Sequence, residues 1–246
     1  MSDNQLIGLA EDFFQNSLDS SPTSAIMRGH KKYFDQIEEL TEDQFQKEKE
    51  TVDNFIQRLN AIEKDNLTNR EKVTHGMLEF ALSSNQDSLL DRSWEFGAGV
   101  SGFTGFLIDY NQQMFVPDSE SADMMLKRLE LYKRLYTQIA QVQKEGLNNN
   151  RVATERNLLR TIDQLENYLA SSLDQDPLLL VNFSPEISGS EISEWKDKAK
   201  NIIEANIRPT VSAYLDQLKT EHLPKGRGDD KCGIMWIDGG EESYLR

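Results

Sequence analysis

The sequence predicts an all-α protein, a multi-helix bundle of long amphipathic helices that ends in a Gly-rich C-terminal loop. Apolar residues recur at steps of three and four along most of the chain, and alternation with period two is nearly absent. The composition points the same way: with 37% apolar and 28% charged residues in 246, a core forms only if the apolar positions gather into stripes. A chain of this length buries roughly 70–75% of its unfolded surface, enough for a sizeable core.

The first stripes are Leu6, Leu9, Phe13 and then Val52, Phe55, Ile56, Leu59, Ile62, each set on one helix face. Thr41 before Glu42, Asp43 and Gln44 reads as an N-cap followed by acids that the helix dipole favours. Thr68 before Glu71 has the spacing of a capping box, so a second helix starts there. The clearest stripe, Met125, Leu129, Tyr132, Tyr136 and Ile139, follows Pro117, Asp118 and Ser119 and ends near Gly146 and the Asn148–Asn150 run. Leu158, Ile162, Leu165 and Leu169 form the next, and the short polar link between the two predicts an antiparallel helical hairpin. From Ser190 to His222 a long helical pattern is interrupted by Pro209, whose missing N–H and bulky ring predict a kink or break just before it. Five glycines between Gly226 and Gly240 then end regular helix, and any sheet is confined to a short pairing in that loop. We read one helical domain over 1–246: N-terminal helices to about residue 115, a long-helix core over 116–225, and a loop and C-terminus over 226–246.

A formal charge of −15 repels phosphate backbones and anionic headgroups, and no basic cluster relieves it, so nucleic acid and membrane surfaces are excluded as partners. Met1–Phe14 has no basic segment followed by an apolar run, and no stretch of eighteen apolar residues occurs, which reads as a cytoplasmic chain. The single Cys232 forms no internal disulfide and no multi-cysteine zinc site.

Residues 97–102 fit G-x-G-x-x-G, but no strand precedes them and no βαβ pattern surrounds them, so they read as a turn between helices. His30, His75 and His222 are too far apart for the paired ligands of a zinc-binding helix, and H-E-x-x-H is absent. Cys232 has no local base that would make it a nucleophile, and Arg227-Gly228-Asp229 is a chance tripeptide. With 42 acidic residues, any one carboxylate pair is uninformative.

Several segments resemble one bacterial family. Lys144-Glu145-Gly146-Leu147, Arg151-Val152-Ala153 and a helix with Gln164-Leu165 are similar to the Arg-Glu-Gly-Leu segment, and the helix after it, of the family known as domain of unknown function 885, which is grouped with gluzincin-type zinc metallopeptidases. Ile207-Arg208-Pro209-Thr210, Tyr214-Leu215 and Leu223-Pro224-Lys225-Gly226-Arg227 resemble its next helix, and residues 233–244 resemble its "G-L-x-x-L-P-D-G-x-x-Y-Y". Asp238 stands in place of that pattern's proline and Ser243 in place of its first tyrosine. Gly29-His30 with Tyr33-Phe34-Asp35 echoes a further element near the start.

The resemblance implies a longer parent whose zinc-binding H-E-x-x-H helix lies downstream, so this chain corresponds to the N-terminal half only. It then holds no cofactor and no catalytic residue of its own, zinc being expected in the C-terminal half, which is its partner. It is expected to be inactive alone and to form one wall of a cleft for a peptide-like substrate. Arg227 and Tyr244, on the loop where the halves meet, are the candidate substrate-binding residues. The competing reading is a stand-alone helical protein-binding or scaffolding module, separated from the first by how much apolar surface lies exposed.

Overall fold

The computed structural model describes residues 2–98 and 102–246. Helices dominate, in the order α1 (Ser2–Asp19), α2 (Pro22–Met27), α3 (Glu42–Asn60), α4 (Asn69–Asp91), α5 (Gly105–Ile108), α6 (Ser119–Glu130), α7 (Tyr132–Asn148), α8 (Glu155–Ala170), α9 (Gly189–Ile202), α10 (Arg208–Gln217) and α11 (Gly240–Leu245). The predicted caps form. Thr41 accepts from the Gln44 amide, and Thr68 and Glu71 make the reciprocal capping box.

Two apolar clusters organise the chain. The smaller joins α1, α3 and α4 through Leu6, Leu9, Val52, Phe55, Leu59, Leu78 and Leu82. The larger is built on α6–α10, where Met125, Leu129, Tyr132, Tyr136 and Ile139 are all 0% exposed, as a stripe on one face requires. It is divided at Leu131 into two helices, α6 and α7. Here the Tyr214 hydroxyl donates to Gln143 Oε1 (2.7 Å), and the terminal nitrogens of the buried Arg128 donate to Thr23 Oγ1 (2.6 Å) and to the Gln36 carbonyl.

Three details sharpen or correct the sequence reading. α7 and α8 are linked by a short turn but both pack against α10, which supplies the apolar surface a simple hairpin would have to provide. The deviation predicted just before Pro209 takes the form of a π turn over Ile203–Ile207, which widens the helix where the proline ring would clash with the preceding turn, and α10 continues from Arg208. Among the described residues the one strand pair, Phe115–Val116 parallel to Asn182–Phe183, lies outside the glycine loop, which there contributes only an isolated bridge from Arg227 to Thr154.

Candidate functional site

The C-terminal loop is where the predicted site residues lie, and it is anchored from below by a buried ion cluster. The turn Ser93–Glu95 after α4 carries Glu95, whose side chain is only 2% exposed, accepts a hydrogen bond from Arg92 Nε and is ion-paired with Arg151 Nε, each at 2.6 Å. Taking a carboxylate out of water costs several kcal/mol, which two guanidinium partners offset. Gly146 on α7 permits the approach, because a Cβ there would stand 2.5 Å from the Glu95 carbonyl oxygen. Trp94 stacks on Phe45 of α3 at 4.0 Å, so the same turn also grips the N-terminal helices.

Arg151 extends this anchor upward. It donates to the carbonyls of Asp91 and Asp238, while Asn150 Nδ2 donates to Asp238 Oδ1 at 3.0 Å. Arg246 pairs with Asp91, which pins α11 against the end of α4. Gly240 closes the loop: a Cβ there would lie 1.7 Å from the Ile234 oxygen, so only glycine lets the segment fold back over the start of α11.

Arg227 donates from Nε to the Val152 carbonyl (2.8 Å) and from Nη1 to those of Lys231 (2.7 Å) and Gly233 (2.6 Å). Partial burial lowers its pKa from the ordinary value. Its backbone pairs with Ala153 and Glu155. Gly233, which Arg227 holds, lines an apolar hollow of about 680 Å³ together with Cys232, Ile234, Met235, Tyr244 and Leu245. Tyr244 is 78% exposed there and Leu245 77%. The structure thus brings the two predicted residues to one place with different duties: Arg227 braces the loop, and Tyr244 presents its ring on it.

A second buried pair was not visible from the sequence. Asp176, 0% exposed, meets Arg208 Nη2 at 3.1 Å and accepts from the Leu178 amide, while Arg208 also donates to the Ser171 carbonyl and lies over the Tyr168 ring. Burial pushes the Asp176 carboxyl above its ordinary value despite these donors. The pair links the end of α8 to α10 and serves to fix them.

Of the histidines, His75 and His222 are buried and His30 precedes the short turn Lys31–Tyr33 without a side-chain capping bond. Among the described residues no three His, Cys, Asp or Glu side chains are grouped to hold a metal ion. Gly99, Val100 and Ser101 of the G-x-G-x-x-G match lie outside the described residues; the segment before it is α4 and a turn, not a strand. No described helix is long and apolar enough to cross a membrane.

The family described as "Bacterial protein of unknown function (DUF885)" matches residues 22–246. No curated protein matches the chain. The fold is similar to that in "The crystal structure of the putative lipoprotein from Colwellia psychrerythraea", with a TM-score of 0.80 and 16% identity over 100% of this chain and 45% of that one. The chain therefore spans less than half the length of that protein, and at this identity the likeness establishes a shared fold.

Proposed function

This chain belongs to the DUF885 family of bacterial proteins, and on that premise we propose that it is the non-catalytic, N-terminal helical half of a gluzincin-like zinc hydrolase, forming one wall of a cleft for a peptide-like substrate. The observation that carries this is the C-terminal loop. Met235, Trp236, Tyr244 and Leu245 are each about half exposed or more, on a loop that a buried ion cluster, an arginine brace and an obligatory glycine hold in place. An apolar surface held rigidly in water is the signature of a face made to be covered.

On this reading zinc and the water it activates belong to the remaining half of the longer protein. Within this chain Tyr244 is the residue placed to touch substrate or the facing half. Arg227 acts as its positioning residue, since its Nε and Nη1 already serve loop carbonyls. The test joins residues 1–246 to an H-E-x-x-H segment encoded in the same or an adjacent frame and assays zinc-dependent peptide hydrolysis. Activity that appears only in the joined protein supports the reading; hydrolysis by residues 1–246 alone, or no such segment in either frame, overturns it. The alternative, a stand-alone binding or scaffolding module, is favoured by a second exposed stripe on α4, whose occupant is a separate question.

A further inference from the structure

α4 buries His75, Leu78 and Leu82 on one side, yet its opposite side carries Val73, Met77 and Phe80 at 63%, 69% and 76% exposure. These three belong to a longer series at alternating steps of three and four: Arg70, Val73, Met77, Phe80, Ser84, Asp87. That spacing is the a/d seam of a coiled coil, and it runs along the outward face. Residues beside the seam are small, with Gly76, Ala81 and Ser83 among them, and a Cβ on Gly76 would meet nothing within 4 Å. A second helix can therefore approach closely.

The series is also complementary to its own reverse. Laid antiparallel about a two-fold axis between Met77 and Phe80, Met77 meets the partner's Phe80 in a sulfur–aromatic contact, Val73 meets the partner's Ser84, and Arg70 meets the partner's Asp87. Apolar layers occupy the centre and an ion pair closes each end. The next seam position, Asp91, is taken by Arg246, but its reverse match falls before Asn69, the first residue of α4, so α11 stands just past the end of the pairing.

We propose that this face binds a second copy of the chain, α4 against α4, in an isologous antiparallel dimer. The charge complementarity of Arg70 and Asp87, fixed at matching distances from the axis, selects a second copy over an unrelated partner. From Arg70 to Asp87 the helix is about 27 Å long, so the contact lies at the low end of interface sizes, below about 1,200 Å² in total. Association is then weak and concentration-dependent, with a dissociation constant on the order of 10 μM.

Sedimentation equilibrium of the full chain tests this. The wild type should pass from 28.2 kDa to twice that mass between about 1 and 100 μM in about 0.15 M salt, which screens the long-range repulsion between two chains of charge −15 more than the adjacent end ion pairs. Met77→Lys, at an exposed position that leaves the helix content unchanged by circular dichroism, should raise the dissociation constant at least about tenfold. Arg70→Asp and Asp87→Arg should each weaken self-association, because each places like charges at both ends. Mixed in equal amounts they should recover it as a heterodimer, because both ends are then opposite in sign. A single 28.2 kDa species at every concentration overturns the proposal and leaves the face to another segment of the longer family protein. A dimer indifferent to Met77→Lys, or charge variants that fail to recover on mixing, overturns it equally.

Discussion

The long-helix core and the N-terminal cluster are both helical, yet they handle their apolar residues differently. α6, α7 and α8 each carry one stripe, and that stripe is buried: Leu129, Leu135, Tyr136, Ile139 and Leu165 are 0% exposed. α4 carries apolar residues on two sides, and only Leu78 and Leu82 on the inner side are covered, while Val73, Met77 and Phe80 face water. A helix with one stripe has all its partners within the fold. One with two stripes leaves the second uncovered by its own fold.

The two regions are joined at Glu95, and removing it is the sharpest way to break the comparison. Glu95→Ala would leave Arg151, whose side chain is 10% exposed, without its carboxylate, and would release the turn that stacks Trp94 on Phe45. Stripping one partner from a buried ion pair typically costs about 3–5 kcal/mol. Urea unfolding followed by fluorescence and by circular dichroism should show this loss, with the two probes no longer coincident as the N-terminal cluster opens first.

Within each region the same truncation should read differently. Leu129→Ala in α6 removes a side chain with no exposure, and such cavities cost about 2–5 kcal/mol. Met77→Ala on the outer side of α4 should change monomer stability by no more than about 0.5 kcal/mol, measured at a concentration too low for association. A large cost at Met77 under those conditions would mean that the outer stripe has a partner inside the fold. Between these extremes lies Tyr214→Phe, which leaves the buried Gln143 carbonyl oxygen without its 2.7 Å donor; about 1–3 kcal/mol should be lost, again by urea titration.

The same contrast explains what could be read from the sequence. Where a helix has one stripe, the period of the residues is the burial pattern, so the run from Met125 to Ile139 located α6 and α7, and Thr41 and Thr68 marked starts that formed as caps. In α4 the inner and outer sets dilute each other's period, and the seam emerges only once Leu78 and Leu82 are known to face inward. Pro209 signalled a deviation, but whether the helix breaks or widens depends on its packing against α7 and α8. The five glycines from Gly226 to Gly240 marked the candidate loop, yet its foundation was hidden. In a chain with 42 acidic residues a glutamate reads as solvated, and only the flanking Trp94 and Phe96 hint that Glu95 is not.

The smallest expected effect is a pH dependence at the start of the long-helix core. Asp118 caps α6, accepting from the Ser121 amide at 2.8 Å and from Lys31 Nζ at 2.5 Å. Chiefly the Lys31 bond, and then the Ser121 bonds, hold its carboxyl at about 2, below the ordinary 3.8. A carboxyl lowered in the folded state stabilises it fully above the ordinary value, and that contribution fades as pH falls from there toward 2. Asp176 runs the other way: burial raises it, so its contribution is greatest below the ordinary carboxylate value and is lost as pH rises through its raised one. Asp118→Asn keeps an oxygen to accept from the Ser121 amide but carries no charge to protonate. Melting temperatures taken between pH 5 and pH 2, in roughly half-unit steps, should therefore fall less steeply for Asp118→Asn than for the wild type. The difference should shrink in high salt, because the Lys31 pair is exposed and screened. Identical slopes for the two proteins would mean that the cap works through its hydrogen bond alone and that acid weakens the fold through other carboxylates.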